Sequence, residues 1–217
     1  MLLIVTGCEH VGKTTLANGI SRWLADATGY SRSFHDHFTI PSPEVADADH
    51  MLVGFHIEEA VFAPLYHGYG GPSQPGDRSS FARRVEQKLM ASSPDFILVL
   101  LKAKPEVIVQ RMRDEPMPRD QKGRRPGLLK EEDVEYVLQR FDEEFGRSLI
   151  RKKFIIDNSD LTSEETLSEF VFKVQKYLSQ SDRTRILTRQ AMVERGDARD
   201  PVFEGDKTVP PEQRVKL

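Results

Sequence analysis

Leu2-Leu3-Ile4-Val5-Thr6-Gly7-Cys8-Glu9-His10-Val11-Gly12-Lys13-Thr14-Thr15 is the stretch on which the reading of this chain turns. A short apolar run, of the kind buried on both faces of a parallel sheet, leads into a glycine, four variable positions, a second glycine, a lysine and two threonines. Glycines let a backbone curl until successive N–H groups converge on one point, and a following helix adds roughly half a positive charge there. Such a turn is built to hold an anion, and Lys13 supplies a full charge beside it.

Outward from this turn, the pattern predicts strand and helix in alternation. Leu16, Ile20, Trp23, Leu24 and Ala27 recur at helical spacing after Lys13, and Thr28-Gly29 is a fitting stop. Tyr30 to Phe38 reads as a second strand, closing on His35-Asp36-His37. Met51 to about Tyr66 has helical character, with Leu52, Phe55, Glu59 and Phe62 as its stripe. A glycine- and proline-bearing loop over 67–76 precedes Asp77-Arg78 and a helix over 79–90. Phe96 to Leu101 is the clearest strand, and Pro105 opens the next helix. Val134, Leu138, Phe141 and Phe145 make an amphipathic helix, Phe154-Ile155-Ile156 a short strand, and Thr162 with Glu165 a capping box before the last clear helix. The expected class is α/β: a doubly wound parallel sheet flanked by helices, over residues 1–181. From 182 to 217 the pattern fades, with eight basic and seven acidic residues and few of core size, so a mobile or loosely packed tail is expected.

Composition narrows the classes. The 217 residues are 38% hydrophobic and 30% charged, with a formal net charge of -3, which argues against a nucleic-acid or membrane-surface binder. Cys8 is the single cysteine, so an internal disulfide and a four-cysteine metal site are excluded. No apolar run reaches the roughly 18 residues that a bilayer demands. The first residues lack the basic stretch and small residues of a secretory leader, so a cytoplasmic protein is expected.

Gly7 to Thr14 matches the Gly-x4-Gly-Lys-Ser/Thr phosphate-binding pattern, the P-loop, at every fixed position. This points to a nucleoside triphosphate, with Gly7, Cys8, Glu9, His10, Val11, Gly12, Lys13, Thr14 and Thr15 as its cradle, Lys13 bridging phosphates and the Thr14 hydroxyl on Mg²⁺. Cys8 reads as a variable position whose side chain the phosphates do not need. The strand at Phe96 does not end in the carboxylate of a switch GTPase or motor ATPase, and no Asn-Lys-x-Asp guanine motif occurs.

With the cradle, Asp36, Asp77-Arg78-Ser79 and the strand-Pro-Glu-Val-helix unit ending in Arg111-Met112-Arg113, the chain resembles the nucleoside and nucleoside-monophosphate kinases, in particular the thymidylate kinase and deoxynucleoside kinase group. The resemblance spans roughly residues 1–178. It implies transfer of the ATP γ-phosphoryl, with ATP and Mg²⁺ as cofactors and a small nucleoside or nucleotide as partner. A homodimer is compatible with it. It implies Asp36 at the acceptor, as general base for a hydroxyl or as positioning group for a monophosphate. Asp77 would help hold Mg²⁺ and Arg78 would grip a phosphate, while the Glu58/Glu59 neighbourhood would face the acceptor. Arg111 would lie near the adenine or phosphates, and Asp157-Asn158-Ser159 would brush the base. The +4 stretch over 111–130, with Arg111, Arg113, Arg119, Lys122, Arg124, Arg125 and Lys130, would be a closing lid.

Two departures stand out. The family's acid-arginine pair ends a strand, whereas a glycine loop precedes Asp77 here, so either the third strand is very short or part of 61–69 is not helix. The Phe-Pro-Arg motif and the full Asp-Arg-Tyr sequence of thymidylate kinases are absent, so the acceptor stays open, other small hydroxyl compounds and nucleic-acid ends included. A nucleotide-dependent switch protein is the reading from another class.

Overall fold

The structure, a computed structural model, describes residues 2–24, 29–31, 39–41, 50–71, 74, 76–92, 95–114, 128–196 and 214–216. Strand β1 (Leu2–Thr6) is buried along its whole length, as its unbroken apolar run requires. It lies at the centre of a five-stranded sheet. The other strands are β2 (Gly29–Ser31), β4 (His50–Val53), β5 (Phe96–Lys102) and β6 (Lys152–Asp157). The order is β2-β4-β1-β5-β6 with every neighbouring pair parallel. Separately, β3 (Thr39–Pro41) pairs antiparallel with β7 (Arg214–Lys216).

Parallel strands require crossovers, and helices supply them. α1 (Lys13–Leu24), α6 (Ser163–Val174) and α7 (Gln180–Glu194) pack together. α2 (His56–Tyr66), α3 (Arg78–Ser92), α4 (Pro105–Asp114) and α5 (Val134–Arg147) form a second group. The helices flank the sheet, the α/β architecture expected. Each group closes on aromatic pairs. Phe62 of α2 meets Phe141 of α5 edge-on at 5.7 Å, and Trp23 of α1 meets Phe170 of α6 edge-on at 5.8 Å. Phe62, Phe141 and Phe170 are fully buried, and truncating one to alanine should cost about 3–5 kcal/mol.

One expectation fails here. The helix expected from Met51 begins only at His56, because Met51-Leu52-Val53 is strand, in register with Leu3-Ile4-Val5. The helical stripe through Leu52, Phe55, Glu59 and Phe62 is an accident of a short buried strand meeting a helix. Pairing on both sides decides the strand's conformation, which local propensity does not predict. The strand in question, β4, is therefore very short, and it ends upstream of Asp77 rather than at it. The segment from 182 also opens with structure. α7 begins on a capping box between Ser179 and Asp182, buries Ile186, and donates from Gln190 Nε2 to the Trp23 carbonyl at 2.6 Å.

Between α2, α3 and α5 lies a buried charged network. Glu86 accepts from Ser148 Oγ and the Leu149 N–H, each at 2.7 Å, and pairs with His56 Nε2 at 2.8 Å. Burial pushes the Glu86 carboxyl up, but the His56 bond, the His56 and Arg83 charges and the Leu149 amide outweigh it and hold it below its ordinary value. Glu144, equally buried, takes the Ser79 hydroxyl, Arg140 at 3.0 Å and Arg83 at 3.5 Å.

Candidate functional site

The C-terminal ends of the central strands meet at the glycine-rich turn between β1 and α1. Gly7 has φ 150°, and a Cβ there would fall 2.4 Å from the Leu101 carbonyl oxygen of β5. No side chain fits, and only glycine tolerates that backbone. His10 (φ 60°) and Gly12 (φ 96°) turn the chain back into α1. Lys13 Nζ folds into the turn and donates to the Gly7 and Cys8 carbonyls, each at 2.8 Å, while its third partner is Glu58 Oε1 at 3.0 Å. Thr14 and Thr15 are exposed on the first turn of α1. Cys8 is buried, and desolvation pushes its thiol up to about 12, which disfavours the thiolate.

Two residues brace the far side of the turn. Asn158, just past β6, donates from its backbone N–H to the Lys102 carbonyl at 2.8 Å and from Nδ2 to the Val11 carbonyl at 2.8 Å. Arg111, in the last turn of α4, donates to the Val11 carbonyl at 3.3 Å and to the Asn158 carbonyl at 3.1 Å. Asp157 is held below the usual carboxylate range: burial raises it, and the Ser159 hydroxyl and amide more than compensate. Beside this brace a cavity of about 280 Å³ opens between His10, Thr15, Arg111, Asn158, Leu161 and Ser163. A hollow of about 720 Å³ lies at the opposite end of the sheet among Gln87, Met90, Phe96 and Leu149. It is larger but mostly apolar and remote from the turn, so the smaller cavity is the better site.

The structure thus brings together Lys13, Arg111, Asn158 and the whole cradle. Asp77 lies in the connection between α2 and α3. Its carboxylate accepts from the Ser79 N–H at 3.0 Å and from Ser80 Oγ at 2.8 Å, so it caps α3. Arg78 reaches Glu59 at 3.3 Å and lies against the Tyr69 and Phe81 rings at 4.8 and 5.4 Å. Arg83 serves the buried Glu144 and Glu86 network. Asp36, His35, His37 and the lid residues Arg119, Lys122, Arg124 and Arg125 lie outside the described residues. At the upstream end of the expected lid Arg113 is paired with Glu131 at 2.6 Å, and at its downstream end the Leu129 N–H donates to Glu9 Oε2 at 2.7 Å. Tyr66 accepts from the Lys130 N–H at 3.2 Å and donates to Asp133 at 2.9 Å. Sequence reasoning did not find the roles of Glu9 and Tyr66, since neither residue type signals such a long-range bond.

No protein-family profile and no curated protein sequence matches the chain. Solved structures do. The chain is similar to YorR from Bacillus subtilis, solved in complex with phosphorylated GDP, at 17% identity and TM-score 0.57, covering 83% of this chain and 100% of that one. It is similar to deoxyadenosine kinase from M. mycoides with bound dCTP at 14% identity and TM-score 0.53, covering 81% and 100%. Polyphosphate Kinase 2 from Arthrobacter aurescens TC1 matches at 12% identity and TM-score 0.51, covering 97% of this chain and 73% of that one. The fold is that of the P-loop nucleoside and nucleotide kinases. The glycine-rich turn and the adjoining cavity lie side by side at the strand ends. No helix among the described residues is long and apolar enough to cross a membrane.

Proposed function

We propose that this chain is an ATP- and Mg²⁺-dependent phosphotransferase that moves the γ-phosphoryl group of ATP to a nucleoside or nucleoside monophosphate. The observation that carries the reading is the P-loop braced open by Arg111 and Asn158, with Lys13 Nζ turned into it. The residues present fit a polyphosphate: a backbone turn with glycines at positive φ, one ammonium group, exposed hydroxyls on Thr14 and Thr15, and a neighbouring cavity. Mg²⁺, when bound, would neutralise phosphate charge, with the Thr14 hydroxyl as one ligand.

In this reading Lys13 exchanges its carbonyl partners for phosphate oxygens. Arg111 and Asn158 hold the Val11 carbonyl, so the loop keeps its shape while Lys13 moves. Arg78, whose guanidinium is oriented by Tyr69 and Phe81, supports the transferring or acceptor phosphate. Asp36 is assigned to the acceptor, and the basic residues over 111–130 to shielding the reaction from water. Because Asp77 is committed to capping α3, the reading gives it no metal role.

The test is a panel of nucleosides and monophosphates with ATP and Mg²⁺, followed by ADP release. A kinase consumes ATP in proportion to one acceptor class. Slow hydrolysis indifferent to every acceptor would instead favour a nucleotide-dependent switch and overturn the assignment.

A further inference from the structure

Where β4 ends, the chain runs directly beside β1, with the Gly54 N–H donating to the Val5 carbonyl at 2.8 Å. This strand end carries no side chain. A Cβ on Gly54 would lie 2.6 Å from Glu58 Oε2, so the Glu58 carboxylate already fills the space in front of the strand. It arrives from the first turn of α2, four residues on. The turn that delivers it is strained: Gly54 has φ 86° and the buried Phe55 has φ 80°. A phenylalanine holds such a conformation only where its surroundings fix it.

Glu58 is also what completes Lys13. The ammonium has three protons, and they meet the Gly7 carbonyl, the Cys8 carbonyl and Glu58 Oε1. When a polyphosphate draws Lys13 away, Glu58 is left as a half-buried carboxylate close to incoming negative charge. Burial already disfavours its ionised form, and Glu9 adds to that. The neighbouring acids have other tasks, since Glu59 pairs with Arg78 and Glu9 accepts from the Leu129 amide. A divalent cation between the carboxylate and the phosphates would turn one repulsion into two attractions.

We propose that Glu58 makes nucleotide binding conditional on a divalent cation: it holds Lys13 in the nucleotide-free P-loop and, once Lys13 turns to phosphate, becomes the acid that faces the cation. This rests on the P-loop being the ATP site. It moves Glu58 from the acceptor side, where the resemblance put its neighbourhood, to the donor side.

The experiment is equilibrium binding of a fluorescent ATP analogue to the full chain, with and without Mg²⁺, for the parent protein, Glu58→Gln, Glu58→Asp and Glu59→Gln. No acceptor and no turnover are needed. In the parent, Mg²⁺ should tighten binding by about a hundredfold. In Glu58→Gln, affinity without Mg²⁺ should rise by about tenfold, and the gain from Mg²⁺ should shrink by at least as much. Glu58→Asp, which keeps the charge, should retain most of the gain, and Glu59→Gln should retain all of it. An unchanged Mg²⁺ gain in Glu58→Gln overturns the proposal. A gain lost as fully in Glu58→Asp as in Glu58→Gln also overturns it, since side-chain packing would then explain the effect. If the parent fails to bind the analogue under either condition, the ATP-site reading falls too, and the two failures are told apart.

Discussion

Three helices of this molecule begin in two different ways. α6 starts on Thr162 and Glu165, and α7 on Ser179 and Asp182, each with a hydroxyl and a carboxylate turned back onto the first amides. α1 starts after Gly12, which has no side chain to turn back, and its first turn contains no acid. The physics at all three is the same: unpaired N–H groups and the positive end of a helix dipole. At α6 and α7 the chain satisfies that demand itself. At α1 a glycine precedes the helix, a lysine lies beside it, and Arg111 and Asn158 brace the loop from behind. In the function proposed above, a phosphate would take the place at α1 that a side chain takes at α6 and α7.

The largest test of this difference is Lys13→Ala. If the open end works only with its ammonium group, acceptor-dependent ADP release should fall by about a hundredfold to a thousandfold. Stability should move by no more than about 1 kcal/mol, since Lys13 spends its hydrogen bonds on loop carbonyls rather than on the core. A stopped assay combined with thermal unfolding checks both halves. Full activity in that variant would mean that α1 is merely a helix without a cap.

Glu86 offers the opposite extreme, a carboxylate wholly consumed by the fold. Glu86→Ala would strand His56, Ser148 and the Leu149 amide in a dry interior, at a cost of about 3–5 kcal/mol measured by urea unfolding. The sign of its pH dependence follows from its lowered carboxyl. A carboxyl lowered by folding stabilises above its unfolded value and loses that contribution as pH falls through the folded one. The stability gap between the parent and Glu86→Gln should therefore be widest above the ordinary value of 4.5 and close as pH drops below it.

How much of this could be read beforehand depends on how local each feature is. The turn between β1 and α1 was legible because glycines at fixed spacing let one short segment of backbone curl there. β5 was legible because seven successive residues are apolar or end a buried run, and the start of α6 because Thr162 and Glu165 are three apart. β4 was not. Three buried residues cannot announce a strand when pairing with β1 and β2 is what makes them one. The Lys13–Glu58 pair was hidden for a related reason: it joins residues 45 positions apart, and the clue to it is a missing side chain at Gly54. Asp77 is ambiguous in the sequence because an acid before Arg-Ser suits a phosphate site and a helix cap equally well, and its bonds to Ser79 and Ser80 appear only in the fold.

Asn158→Ala sharpens the comparison at intermediate size. The side chain donates to the Val11 carbonyl and accepts from Arg111, which holds the same carbonyl, so its loss should loosen the cradle without emptying it. ATP affinity should weaken by about tenfold, the worth of roughly one good hydrogen bond.

The smallest effect belongs to the start of α7, which the fading pattern after 182 concealed. Ser179 accepts from the Asp182 amide at 3.1 Å, and Asp182 accepts from the Ser179 amide at 3.0 Å. Ser179→Ala should cost about 1 kcal/mol, because one satisfied amide is lost from an exposed first turn. Burial raises the Asp182 carboxyl, but the Ser179 contacts and Arg185 overcome it and lower the group to about 2. Its contribution is therefore complete above the ordinary value of 3.8 and disappears as pH falls through about 2. Helix α7 meets α1 at Trp23, so hydrogen exchange along α7 should quicken over that acid range in the parent and show no such step in Asp182→Asn. If α1 loosened in the same step, the packing of the capped helix would be helping to hold the open one in place.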